Sequence, residues 1–244
     1  MATSTGQALN PILEVDDITA GYGATKALQG VTLKVAKGEW VGLLGANGSG
    51  KSTLLKCISH QLPLQAGRIL IHDIDVAMDP TAARRHIGVA VPPDILPGAL
   101  TLAQCLDVHA VACGLAKPYD LALEVLDALQ LTPCLNKPLA WLTLGLRQRS
   151  SVTLAMVQNP SLLVLDESFN GLDALSGARL ESILVREVAA GHLAVVMATH
   201  GLPLVERCCT SAVLLHEGRC VRHWNLKADH GIHSLEAAIA NALV

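Results

Sequence analysis

Two hydrophobic periods divide the chain. Near the N-terminus apolar and polar residues alternate across Ile12–Ile18 and Val31–Val35, the two-residue period of half-buried strands. Ala36-Lys37-Gly38 reads as a turn, and Trp40–Leu44 as a short apolar strand that runs straight into a glycine-rich segment. Thr53–Ser59 predicts a helix, and Gly67–Ile71 and Ile87–Val91 predict further strands. From about Pro92 the pattern changes. Pro-Pro-Asp and Leu-Pro-Gly punctuate a loop, and Thr101–Cys113 and Asp120–Leu131 then show helical spacing, with Pro118, Pro133 and Pro138 bounding the pieces. Leu162–Leu165 and Leu193–Ala198 are unbroken apolar runs, as strands buried on both faces require. Between them Ala178–Ala190 predicts a helix stopped at Gly191. Val213–Leu215 and Arg219–Val221 flank Glu217-Gly218 as a hairpin, and Ser234–Leu243 predicts a last helix.

This order predicts an α/β fold: a mainly parallel sheet, an N-terminal antiparallel β part, and a helical subdomain inserted at about 92–155. Residues 1–11 read as a flexible leader and 12–244 as a single domain, with a C-terminal hairpin and helix at about 212–244.

Composition sharpens the picture by exclusion. Of 244 residues 51% are apolar and only 16% charged, against about 25% charged in an average soluble protein, which rules out a disordered chain. Eighteen basic residues against 21 acidic ones give no field for capturing nucleic acid. The longest apolar stretch, Ala99–Ala116, is broken by Gln104, Asp107 and His109, whereas a membrane span needs about 20 predominantly apolar residues. The first residues hold no apolar run and no basic residue before Lys26, so they do not read as a secretory signal. Seven cysteines without a Cys-x-x-Cys pair predict reduced, mostly buried thiols and a cytosolic location.

The glycine-rich segment carries the first chemistry. Gly45-Ala46-Asn47-Gly48-Ser49-Gly50-Lys51-Ser52 matches G-x-x-x-x-G-K-[ST] between a predicted strand and a predicted helix, which makes the fold a P-loop NTPase core. Glycines at 45, 48 and 50 let backbone N–H groups turn inward and keep Cβ atoms away from a phosphate. The N-terminus of the following helix adds positive field. Lys51 is placed for the β/γ-phosphates and the Ser52 hydroxyl for Mg²⁺, with Asn47, Ser49 and Thr53 completing the nucleotide-binding segment. Gly21-Tyr22-Gly23 fails as a dinucleotide fingerprint, because Lys26 stands where a third glycine is required. A partner carboxylate belongs at the C-terminal end of a neighbouring buried strand. Leu162–Leu165 ends in Asp166, which would hold Mg²⁺ directly or through water, and Glu167, which would orient or deprotonate an attacking water.

Further motifs stand in a fixed order around these: Tyr22 and Gly38-Glu39 upstream, Leu142-Thr143-Leu144-Gly145-Leu146-Arg147-Gln148-Arg149 between, and Asn170-Gly171-Leu172-Asp173 and Thr199-His200 after. In this order the set resembles the nucleotide-binding subunit of ABC transporters across about residues 12–223, and most closely exporters with a separate permease. The resemblance implies an ATP-binding and ATP-hydrolysing subunit that powers a membrane permease, with two ATP molecules sandwiched between two head-to-tail subunits. Tyr22 would then stack on adenine, and Thr143 and Gly145 would meet the γ-phosphate bound by the second subunit. Asp173 would align the two sites across the dimer, and His200 would contact the γ-phosphate and the Glu167–water pair. The implied partners are an integral-membrane permease and a second ATPase subunit, the same or different. The implied location is peripheral, on the cytoplasmic face of the inner or plasma membrane, with the permease as the only membrane contact.

The chain also departs from the family pattern. Leu144 replaces a glycine of the usual L-S-G-G signature, Pro92 stands at or near the usual glutamine, and Ser168 replaces the proline after Glu167. The first two leave open an alternative, an ATP-binding regulatory or degenerate subunit with weak hydrolysis in a heteromeric complex. Elsewhere Arg84-Arg85-His86 reads as a solvated face, Arg147 and Arg149 as support for the signature helix, and His223, His230 and His233 as a set with no metal-site spacing.

Overall fold

The computed structural model describes residues 11–118, 120–227 and 235–242. The leader, apart from Pro11, and His230 and His233 lie outside the described residues. Two sheets carry the fold. The first is antiparallel and pairs β1 (Leu13–Tyr22), β2 (Thr25–Val35), β4 (Ala66–Ile71) and β5 (Ile74–Asp75) in the order β2-β1-β4-β5. Both long strands run further than their alternation suggests. In β1 the buried positions switch from Leu13 and Val15 to Ile18 and Ala20, because a bulge at Asp17 (φ 48°) inserts one residue and inverts the parity. In β2 Gly30 (φ 69°) does the same between Leu28 and Val31, so a period-2 reading stops at each bulge while the strand continues.

The second sheet has six strands in the order β10-β9-β3-β8-β7-β6. Its members are β3 (Trp40–Leu44), β6 (Ile87–Ala90), β7 (Leu162–Asp166), β8 (Ala194–Ala198), β9 (Ser211–His216) and β10 (Arg219–Asn225). All its pairings are parallel except that of the edge strand β10 with β9. Every residue of β3 and β8 is buried, which explains the unbroken apolar runs. Side chains alternate between two cores. Val41 and Leu43 face the antiparallel sheet and α1 (Lys51–Ile58), whereas Trp40 and Leu44 face the helices on the other side.

Between β6 and β7 lie α3 (Leu102–Ala112), α4 (Asp120–Ala128), two single 3₁₀ turns and α5 (Leu144–Ala155), numbered after the short α2 (Pro80–Arg84). This helical segment is the crossover that returns the chain to the parallel neighbour of β6. A capping box of Thr101 and Gln104 starts α3, and Ser151 Oγ of α5 donates to Val91 O just after β6 at 2.6 Å. The helix α6 (Ala174–Ala189) begins four positions before the predicted Ala178. Asp173 accepts from the N–H groups of Leu175 and Ser176 and caps the helix, so Gly177 falls inside it. The sequence pattern gave no sign of α2 or of α7 (Leu202–Cys208), both short and both holding proline in the first turn. The last helix, α8, runs Leu235–Ala242.

Candidate nucleotide site

The loop from β3 to α1 is shaped by glycines at positions no other residue fits. Gly45 (φ 145°) would place a Cβ 2.3 Å from Leu215 O, and Gly50 (φ 109°) one 2.8 Å from Ala27 O. Gly48 (φ 80°) differs: a Cβ there would meet nothing within 4 Å, because that side of the loop is open. α1 starts directly at Lys51, two residues earlier than its apolar spacing shows, since Gly50 turns the chain into it. Lys51 Nζ donates to Gly45 O at 2.8 Å and Ala46 O at 3.1 Å, which holds the loop closed around its own ammonium. Burial lowers the Lys51 pKa, and the negative charges of Glu167 and Asp166 work against that shift.

A cleft of about 460 Å³ opens on this loop. Asn47, Gly48, Gly50, Lys51, Ser52 and Thr53 line one side, and Asp166, Glu167, Asn170 and His200 the other. The parallel sheet brings the two sides together, since β3 and β7 flank β8 and all three end at this rim. Glu167 leaves β7 in the left-handed region (φ 49°), and its N–H donates to Ala198 O at 2.9 Å. Its Oε2 accepts from Asn170 Nδ2 at 3.0 Å. Its Oε1 is buried and accepts no hydrogen bond among the described residues, with His200 Nε2 standing 3.5 Å away. Asn170 is the site residue that sequence reasoning passed over. Its signal is its place in Asn170-Gly171-Leu172-Asp173, three residues after Glu167.

Gly45 and Ser49 do not line the cleft, and Ser49 Oγ is buried without a hydrogen-bond partner among the described residues. Tyr22 lies outside the lining as well. Its half-exposed ring has Lys56 Nζ 5.7 Å from the centroid, with a hydrogen bond from Nζ to the phenol oxygen at 3.3 Å.

Thr143, Gly145 and Asp173 gather at a second place. Thr143 Oγ1 caps α5 by accepting from Leu146 N at 3.3 Å. A Cβ on Gly145 would stand 3.0 Å from Gly171 O, and Arg149 of α5 pairs with Asp173 at 2.5 Å. Hydrogen bonds from Ser176, with Arg149 adding charge, lower the Asp173 pKa. Leu144 projects from this end with 63% of its surface exposed. Neither Pro92 nor Leu144 lines the cleft. No cluster of three or more His, Cys, Asp or Glu able to hold a metal occurs among the described residues. Burial pushes the Cys57 and Cys208 thiols up to about 11, away from the thiolate form.

Comparison with known proteins gives concordant results. The ABC transporter family profile matches residues 28–170. The ABC-type transporter ATP-binding protein EcsA of Bacillus subtilis is 33% identical over 217 residues, 85% of this chain and 84% of that protein. A solved ATP-binding subunit of an ABC transporter superposes with a TM-score of 0.86 at 30% identity, covering 96% of this chain and 100% of the other. A dimeric bacterial ABC transporter cassette does so with a TM-score of 0.80 at 25% identity, covering 88% and 98%.

Proposed function

The chain belongs to the ATP-binding subunits of ABC transporters, ATPases that power transport by a membrane permease, and from that premise we propose how its own residues divide the work. The loop N–H groups from Asn47 to Thr53 and the Lys51 ammonium bind the ATP phosphates, Lys51 exchanging its two loop carbonyls for phosphate oxygens. Ser52 and Asp166 offer a hydroxyl and a carboxylate, hard oxygen donors too few for a closed protein cage, which suits Mg²⁺ shared with substrate phosphates. When bound, that ion would offset charge on the β- and γ-phosphates.

Glu167 takes the proton of a water whose oxygen attacks the γ-phosphorus in line, as the bond to the β-phosphate oxygen breaks and ADP departs. The observation that carries this role is the Glu167 carboxylate on the cleft wall opposite Lys51 and Ser52, its Oε1 accepting no hydrogen bond among the described residues. His200, with Nε2 3.5 Å from that oxygen, faces the γ-phosphate and the Glu167–water pair. Thr143 and Gly145 lie apart from the cleft and serve the nucleotide of a second subunit, with Asp173 bracing that end of α5, while Tyr22 offers its open ring face to adenine.

No described helix is long and apolar enough to cross a membrane. We place the subunit at the cytoplasmic face through its permease. A groove of about 710 Å³ beside α3, lined by Arg84, Arg85, Val89, Val91, His109 and Val111, supports this as the docking surface.

Mg-ATPase activity of the assembled complex, wild type against Glu167→Gln, tests the assignment. A fall of about a hundredfold or more is expected, and unchanged turnover would remove Glu167 from the role. A second reading, ATP binding with weak turnover, is favoured by exposed Leu144 at the signature. A rise in turnover in Leu144→Gly supports it, and no change counts against it.

A further inference from the structure

We propose that Asn170 is a positioning residue that fixes the Glu167 carboxylate and makes it answer to the α5 end of the same chain. The inference rests on Glu167 as the hydrolytic base. A glutamate at the end of a strand has three rotatable side-chain bonds, and here its backbone is already turned left-handed at φ 49°. Something must choose one direction for the carboxylate. Asn170 does so twice: its N–H donates to Glu167 O at 3.0 Å and closes a turn, and its Nδ2 donates to Oε2 at 3.0 Å. With Oε2 held, the plane of the carboxylate is set and Oε1 is turned toward His200. The amide also lines the cleft, so it sits beside the reacting groups.

The other end of this loop is pinned to α5. Gly171 O packs where a Cβ on Gly145 would come within 3.0 Å, and Asp173 is paired with Arg149. Only Gly171 and Leu172 therefore separate the amide that aims the base from the ion pair that anchors α5. A shift of Thr143 and Gly145, as a second subunit's nucleotide engages them, moves Gly171 and with it the grip on Glu167.

The test measures single-turnover and steady-state ATPase rates of the full-length chain in the complex it forms with its membrane partner. It compares wild type, Glu167→Gln, Asn170→Ala, Asn170→Asp and the double variant Glu167→Gln/Asn170→Ala. Asn170→Ala should lower kcat about tenfold and leave KM for ATP within about twofold. Asn170→Asp keeps the shape but turns a carboxylate toward Glu167, so it should be slower than Asn170→Ala. A residue that only supports the fold would tolerate that isosteric change. Because Asn170 acts through Glu167, the double variant should be no slower than Glu167→Gln alone. Binding of a fluorescent ATP analogue with wild-type affinity checks that each variant is folded. An Asn170→Ala rate within about twofold of wild type overturns the proposal. So does an equal slowing of Glu167→Gln by the second substitution. If Glu167→Gln itself turned over normally, the base assignment would fall and the role of Asn170 with it. A slow Glu167→Gln beside a normal Asn170→Ala refutes the positioning role alone.

Discussion

Gly45 and Gly48 stand three residues apart in one loop and respond to different constraints. A methyl group at 45 collides with Leu215 O at 2.3 Å and Ser49 Oγ at 2.5 Å, and backbone atoms of a central strand have little room to yield. A methyl group at 48 points into open space, and only its positive φ resists it, at about 1–2 kcal/mol. Gly45→Ala should therefore lower Tm by several degrees and abolish binding of a fluorescent ATP analogue. Gly48→Ala should melt closer to wild type and still bind nucleotide poorly, because its new Cβ enters the cleft. Equal losses of Tm in the two variants would contradict this division. Both glycines were visible in the motif, but their different obligations were not, since Leu215 approaches the loop from a strand distant in sequence.

At the scale of elements, the join between α5 and α6 governs how the signature end is held. Asp173 caps α6 through Leu175 and Ser176 and ion-pairs with Arg149. Its folded pKa is lowered, first by the hydrogen bonds from Ser176, so the charged form is the one the fold prefers. The sign follows from linkage: the stabilisation is fully present above the unfolded carboxylate value, about 3.9, and is lost as pH falls through the lower folded value. Asp173→Ala should melt below wild type at pH 7, and the difference should narrow as pH drops below about 4. A gap independent of pH would mean that the charge is not what matters. The Arg149–Asp173 pair itself was illegible in the sequence, because 149 and 173 meet only after β7 returns the chain. Strands and helices with one uninterrupted period were legible, as with Leu162–Leu165. Where a bulge at Asp17 or Gly30 changed the phase, or a cap at Asp173 overrode a glycine, the local pattern misplaced the end of the element.

At the scale of the whole molecule, some apolar side chains reach the surface, two of them on one helix. Val108 and Val111 stand 60% and 71% exposed on α3, and Val111 lines the groove. If that groove receives the permease, Val111→Asp should abolish co-fractionation with membranes. Nucleotide binding should persist and stability should change by no more than about 0.5 kcal/mol, as for an ordinary surface substitution. Retained membrane association would move the docking surface elsewhere. The ordered motifs made the nucleotide cleft readable in advance, and they also named Thr143 and Gly145, but only the folded chain shows that these do not line the cleft. The proposed division of labour has a consequence for the kinetic order of the reaction. If, as proposed, one chain holds the loop and the base of one site and the signature of another, an isolated copy is half of two different sites. On dilution, specific activity should fall in proportion to protein concentration, where an enzyme complete in one chain would hold it constant. Copies that have lost their neighbour then idle, and ATP is consumed only where two of them are held side by side.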